Sequence, residues 1–329
     1  MKPGKIAEPI LKRSVLKKIS YKSKAVLSSA SVGHDSAVIS LDKTLLQGEN
    51  CMVTATATVV AKRDYHCNRA FIKAVNNLAA VGAIPAYAQV SILLPEGMRE
   101  IKLKMLMEEM GELASSMNIH ITGGHTAVSD GVTKPVVTVT VTGFIREELA
   151  KLCNYKKNIK PGYDIVMSKA AGLEGTALLA VEYEEEFAKR FTSLYINNAA
   201  AFINELSIVN EAAVAIKHGV AAMHDMSEGG VFGALWELGE AGNVGLKVDL
   251  RKITMRQETI ELTNHLNINP YLMASSGSLL MVTSDGLGLV SALAEAGIEA
   301  SIIGKITDDN DKIIVNEDEK RFLEPPRNS

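Results

Sequence analysis

Four short stretches place glycine beside hydroxyl, imidazole or carboxylate groups. They are Gly33-His34-Asp35, Thr122-Gly123-Gly124-His125-Thr126, Gly172-Leu173-Glu174-Gly175-Thr176 and His224-Asp225-Met226-Ser227-Glu228-Gly229-Gly230. Glycine lets backbone N–H groups approach anionic oxygens, and a helix that starts just after it adds favourable partial charge. An Asp or Glu beside such a cradle suits Mg2+, which takes carboxylates together with phosphate oxygens. Each stretch alone is weak, because a bare Gly-Gly is more often a turn than a phosphate site. No Walker A loop is present, and no dinucleotide fingerprint followed by an acidic residue. Asp225 and Glu228 have a simpler reading as caps of the helix that follows. His224 beside Asp225 could belong to an acid–base pair, but neighbours on an extended backbone face opposite ways. His120 with His125, or His34 with His66, lacks a Cys or His at finger-like spacing, so zinc is not expected.

The elements that must position these stretches follow from periodicity. Apolar residues at helical spacing predict a helix over Ala7 to Ile19, and the alternating Val, Thr and Ala of Cys51 to Val60 predict a strand. Asn68 to Val81 reads as a helix stopped by Gly82 and Pro85, and Tyr87 to Leu94 as a strand. A Met-rich helix follows to about Met117, its Leu103, Leu106, Met107, Met110 and Leu113 forming an adaptable core stripe. Val136 to Val141 alternates strictly and predicts a half-buried strand. The charged, aperiodic run from Arg146 to Lys160, closed by Pro161-Gly162, sets the boundary between a domain over 1–150 and a second over 151–329. The second half reads as α+β: a strand over Asp164 to Met167, a long helix over Asn197 to His218, and a helix from the Gly229-Gly230 turn to about Ala241. Strands over Leu246 to Val248, Leu279 to Val282 and Ile302 to Ile306, with helices over Arg256 to Leu266 and Leu289 to Ala296, complete it.

Composition bounds the function. The 329 residues carry 35 Lys+Arg against 38 Asp+Glu, a formal charge of −3, so no basic field points to nucleic acid. Cys51, Cys67 and Cys153 show no CxxC spacing and suit a reducing, cytoplasmic setting. No run approaches the roughly 20 apolar residues of a membrane helix.

Taken in order, the motifs resemble the superfamily of aminoimidazole ribonucleotide (AIR) synthetase (PurM), selenophosphate synthetase, thiamine-monophosphate kinase and the hydrogenase-maturation protein HypE. Gly33-His34-Asp35-Ser36-Ala37-Val38 is similar to the family's Gly-Asp-Asp-Ala-Ala-Val, and Val75-Asn76-Asn77-Leu78-Ala79 with Gly82-Ala83-Ile84-Pro85 to Val-Asn-Asp-Leu-Ala and Gly-Ala-x-Pro. Gly123-Gly124-His125-Thr126 resembles Gly-Gly-(Asp/Glu/His)-Thr, and Asp225-Met226-Ser227-Glu228-Gly229-Gly230-Val231 resembles Asp-x-(Thr/Ser)-x-Gly-Gly-Val. Lys160-Pro161-Gly162-Tyr163-Asp164 and Gly172 to Ala177 resemble the opening of the family's second domain. Leu94-Pro95-Glu96-Gly97 and Leu173-Glu174-Gly175-Thr176-Ala177 draw the likeness toward HypE and its AIR-synthase-related paralogues.

The resemblance implies a PurM-like two-domain fold: an α/β N-terminal domain that pairs with its twin into a β-barrel across a homodimer, and an α+β C-terminal domain. It implies ATP and Mg2+ as cofactors and phosphoryl transfer to an oxygen, often of a carbamoyl-type acceptor. It also implies hydrogenase-maturation proteins as partners. The cofactor-binding set that it implies is Gly33, His34, Asp35, Asn76, Asn77, Gly123, Gly124, His125, Thr126, Asp225, Glu228, Gly229 and Gly230. Asp35 would be the magnesium ligand, and Asp35, His125 and Asp225 the candidate catalytic groups. The sequence departs from that pattern where acids are expected: His34, Asn77 and Thr56 are not carboxylates. HypE enzymes end in Pro-Arg-x-Cys, whereas this chain ends Pro326-Arg327-Asn328-Ser329, so thiocyanate formation on a terminal thiol is not expected. Two readings follow: an ATP-dependent enzyme with an altered acceptor, or a catalytically degenerate dimeric nucleotide- or ligand-binding protein. A role as an accessory in hydrogenase assembly is a third.

Overall fold

A computed structural model describes residues 4–5, 10, 13–24, 26–28, 38–39, 51–61 and 67–325. The Gly33 to Ala37 stretch and the 326–329 tail lie outside the described residues, as do residues 7–9 and 11–12 of the opening segment read as a helix. Within that segment the described part turns through a 3-10 helix at Leu16–Lys18. The chain forms two compact units, one of 1–78 with 83–148 and one of 79–82 with 149–329.

The first unit is built on a five-stranded sheet. Its strands are β1 (Gly4–Lys5), β4 (Cys51–Val60), β5 (Ile84–Pro95), β6 (His120–Ser129) and β7 (Val136–Ile145), in the order β1-β6-β5-β7-β4. A separate two-stranded piece pairs β2 (Val26–Ser28) with β3 (Val38–Ile39). Helix α1 (Arg69–Ala79) joins β4 to β5, and α2 (Glu100–Ser116) makes the crossover that the parallel β5–β6 pair requires. Both helices are amphipathic. Phe71, Ala74, Val75 and Leu78 of α1 are fully buried, as are Leu103 and Met110 of α2, where methionine fills the gaps between branched residues. Strand β7 shows period two in full: Val137, Val139 and Val141 are buried while Thr138, Thr140 and Thr142 face the other way, half-buried. Strand β5 starts three residues earlier than the periodicity suggests. Pro85 is accommodated near its start, beside a bulge between Pro85 and Tyr87, which is where a sheet tolerates a residue without an N–H.

The second unit carries a seven-stranded mixed sheet. Its strands are β8 (Asp164–Ser168), β9 (Ala222–Asp225), β10 (Gly245–Asp249), β11 (Leu279–Thr283), β12 (Ala300–Thr307), β13 (Lys312–Asn316) and β14 (Glu319–Phe322), in the order β14-β13-β10-β12-β8-β11-β9. Its main helices are α3 (Leu173–Glu182), α4 (Ser193–Ala201), α5 (Val209–His218), α6 (Gly230–Gly242), α7 (Gln257–Leu266) and α8 (Gly286–Glu295). The middle of the sheet is buried on both faces. Ile165, Met167, Leu280 and Val282 pack with Val231, Leu235 and Leu238 of α6, whereas Val166, Leu279 and Met281 pack with Ala212, Ala215, Leu289 and Leu293 of α5 and α8. That is why β8 and β11 read as unbroken apolar runs. The expected long helix over 197–218 is instead α4, a 3-10 turn at Phe202–Glu205 and α5, with a 52° bend. Among the described residues, no single helix is long and apolar enough to cross a membrane.

Candidate functional site

The Thr122–Thr126 stretch, expected as a loop, lies inside β6. A bulge in the β5–β6 register leaves Thr122 as the extra residue, its Oγ1 donating to Ala88 O at 3.2 Å. After the bulge Gly123 pairs with Gln89, Gly124 with Val90 and His125 with Ser91. Gly124 has φ +150°, and a Cβ there would stand 1.8 Å from Val90 O, so the sheet closes only around glycine. Gly123 is the opposite case: a Cβ there would meet nothing within 4 Å. Among the described residues no packing contact accounts for its lack of a side chain, and the backbone there is half-buried.

Register carries the pattern across the unit. Thr56, Thr140, Gln89 and Gly123 form one transverse row, and Thr58, Thr138, Ser91 and His125 form the next. The hydroxyls of Thr56 and Thr140 are hydrogen-bonded at 2.9 Å, as are those of Thr58 and Thr138. Gln89, Ser91, Gly124 and His125 are exposed. The result is an uncharged polar ledge ending at an imidazole and an open glycine. Thr56, where the family pattern carries an acid, therefore shares a row with Gly123. Thr126 is buried, its side chain on the face of β6 opposite His125. On α1, Asn76 is buried and Asn77 half-buried, and both have polar partners. His120, at the start of β6, is buried with its Nδ1 accepting from Ser23 N at 3.1 Å, and burial, aided by the charge of Lys22, pulls its pKa down. Among the described residues no group of three or more His, Cys, Asp or Glu side chains is placed to hold a metal.

The second unit gathers its two stretches separately. Gly172, in left-handed conformation, precedes α3, and Gly229, likewise left-handed, precedes α6. Capping of α6 thus falls to glycine, with no side-chain cap bond, and not to Asp225 or Glu228. Asp225 is half-buried, Glu228 is exposed and both have partners. His224 turns away from Asp225, its Nε2 lying 2.9 Å from Glu237 Oε2.

A segment that sequence reasoning passed over, Tyr271 to Ser278, fastens the two turns. Gly172 N donates to Ser275 Oγ at 2.8 Å and Gly175 N to Ala274 O at 2.8 Å. Ser276 Oγ donates to the buried Glu174 Oε2 at 2.6 Å. On the other side Ser275 N donates to Ser227 O and Met226 N to Ser278 O, both at 3.1 Å. Gly230 fits so closely that a Cβ would be 2.5 Å from Tyr271 O. The available signal was a Ser-Ser-Gly-Ser run directly before an apolar strand, which reads as an ordinary loop. Among the described residues, Gly123, Gly124 and His125 share β6, Asn76 and Asn77 lie on α1, and Asp225, Glu228, Gly229 and Gly230 lie at and just before the start of α6.

Two family models match the chain: AIR synthase related protein, N-terminal domain, over 33–145, and AIR synthase related protein, C-terminal domain, over 160–316. A Methanocaldococcus jannaschii protein named for hydrogenase expression and formation is 28% identical over 247 residues, 73% of this chain and 70% of the relative. The carbamoyl dehydratase HypE of Rhizobium leguminosarum bv. viciae is 25% identical over 249 residues, 72% of this chain and 67% of that one. The thiamine-monophosphate kinase of Bacillus subtilis is 31% identical over 180 residues, 53% of this chain and 51% of the kinase. Among solved structures, E. coli HypE superposes with a TM-score of 0.83 at 17% identity, covering 98% of both chains. A HypE in complex with ATP gives 0.81 at 17% identity, covering 99% of this chain and 96% of that one. The chain therefore belongs to the AIR synthase-related, PurM-like superfamily and is HypE-like within it.

Proposed function

We propose that the protein binds ATP at the polar ledge of the first unit and transfers its γ-phosphoryl group to a small or carbamoyl-type acceptor. The observation that carries this reading is Gly123. Its backbone has space where a side chain would stand, beside exposed His125 and a row of hydroxyls. Phosphate oxygens need N–H and O–H donors without steric cover, and this surface offers them. The acceptor oxygen would attack the γ-phosphorus as the bond to the β–γ bridging oxygen breaks, releasing ADP. His125 would donate to a phosphoryl oxygen, with Gly124 fixing its place. Asn76, Asn77 and the Gly33-His34-Asp35 stretch would complete the site of the first unit, while Asp225, Glu228, Gly229 and Gly230 are proposed as binding residues of the second unit taken by itself. The described residues supply no acidic cluster that fits Mg2+, so no step is assigned to it; Asp35 is the residue that would hold it.

The uncharged rows also favour a second reading, a binding protein that has lost catalysis, because hydroxyls at Thr56 and Thr58 neutralise no metal. Strand β4 supports a homodimer. It lies at the sheet edge over its ten residues, and Met52 and Val60 are 67% and 54% exposed. An edge of that length with no strand beside it among the described residues invites pairing with a second copy, as the family's shared barrel would provide. A HypE–HypF complex among the structural neighbours supports a hydrogenase-maturation protein as partner. Calorimetric titration with ATP, with and without Mg2+, combined with phosphate release, separates the readings. Binding with turnover supports the enzyme, binding without turnover the degenerate protein, and no binding refutes both.

A further inference from the structure

The second unit contains a cavity of about 580 Å³ that shares only Gly229 with the residues named for the nucleotide reading. The volume is that of a site for a small organic molecule. One wall is the start of α6, where Gly229 and Gly233 flank Phe232; the opposite wall is the β13–β14 hairpin with Ile314 and Phe322. Phe232 stacks face to face on Tyr271, ring centroids 5.0 Å apart and 6° from parallel. Leu272 and Phe322, 49% and 69% exposed, stand at the opening. A planar ring entering here would meet aromatic faces already held in position, at little entropic cost.

The neutral polar groups on the walls are few. Tyr271 Oη and the Asn316 carboxamide make no hydrogen bond within the described residues, and Asn269 uses only its Oδ1, on Tyr271 N at 3.0 Å. Burial raises the Tyr271 pKa, so its hydroxyl stays a donor at neutral pH. The charged groups oppose an anion: Arg321 is already paired with Glu319 at 3.2 Å, and Glu324 adds a second carboxylate. Phosphate would find the one cation among the lining's described residues already paired.

We infer that this cavity binds a neutral, planar nitrogen heterocycle, stacked beside Phe232 and Tyr271 and read along its edge by Asn269, Asn316 and the Tyr271 hydroxyl. Donor-and-acceptor amides match the alternating edge of such a ring. The inference does not depend on ATP binding in the first unit.

The test is a fluorescence titration of the full chain with lumichrome, a neutral tricyclic nitrogen heterocycle. Saturable binding in the micromolar range is expected. Leu272→Trp, which fills the mouth from an exposed position, should weaken it at least about tenfold. Tyr271→Phe, which keeps the stack and loses the hydroxyl, should weaken it about fivefold, the worth of one hydrogen bond. Leu287→Trp, at a 77% exposed site outside the cavity, should leave it unchanged. Absence of saturable binding, an unaltered affinity in Leu272→Trp, or displacement of lumichrome by ATP would overturn the inference. Loss of ATP binding in Gly123→Ala with lumichrome affinity intact would support two separate sites.

Discussion

Gly123 and Gly124 are neighbours in one strand, yet alanine should act on them in opposite ways. At Gly124 the added Cβ starts 1.8 Å from Val90 O, whereas nonbonded carbon and oxygen settle at roughly 3.3 Å, close to the lower end of ordinary contact. Strands β5 and β6 must then separate by more than an ångström locally, or the substituted residue must leave φ +150°. Either route breaks one or two ladder hydrogen bonds, each with a net value of about 1 kcal/mol, and adds backbone strain of about 1–3 kcal/mol. The expected loss is about 2–5 kcal/mol, which lowers the melting temperature by roughly 4–20 °C in a domain of this size. At Gly123 the Cβ meets nothing within 4 Å, so stability should change by less than about 0.5 kcal/mol. The methyl group would, however, occupy the approach of a phosphate oxygen. ATP affinity should drop at least about tenfold, equivalent to about 1.4 kcal/mol. Thermal unfolding and calorimetric titration of both variants read the two effects separately. A Gly123→Ala protein that binds ATP like the parent removes the basis for a phosphate site here. Wild-type stability in Gly124→Ala would refute the strand geometry itself.

Two further outcomes follow from buried and paired charges. Lys169 Nζ lies 2.7 Å from Glu211 Oε1, whose side chain is 2% exposed, so Lys169→Met should strand that carboxylate and cost about 3–5 kcal/mol in urea unfolding. Acid should weaken the protein in two stages. His120 is held below its ordinary pKa by burial, so the unfolded chain takes up its proton first, and stability present above about pH 6.5 falls as pH drops through that value. Glu100, held at about 2 chiefly by the hydrogen bond from Arg13 and then by Ser14, contributes stability that is present above about pH 4.5 and lost toward pH 2. His120→Gln should flatten the first step of the melting temperature against pH, and Arg13→Gln the second.

How far the sequence could be read depended on the range of the contacts involved. Strand β4 and helix α2 were legible because their burial follows local alternation and local 3.6-residue spacing. The break between α4 and α5 was not, since Asn197 to His218 contains neither proline nor glycine. It is set from far along the chain: Lys169 Nζ binds the carbonyls of Glu205 and Ser207 at 3.0 and 2.8 Å, and Gly277 lies against Glu205 O. Gly123-Gly124 looked like a turn because a glycine pair usually is one, and only the register with β5 shows otherwise. The motif order revealed the family, while the polar ledge depended on which threonines face which glycine across four strands. Ser275 to Ser278 had no periodic signal at all; its role exists only through partners distant in the chain or on the opposite side of a turn.

Because both glycine turns of the second unit hang on one short arc, neither can shift alone. Displacing the turn before α6 would pull on Ser275 and Ser278, and through them on the amides of Gly172 and Gly175. Any molecule that settles against one turn would be felt at the other without a hinge or a travelling helix, and the pair would tighten or loosen in concert. Slower amide exchange at Gly175 when only the region near Gly229 is occupied would be the sign of that mechanical linkage.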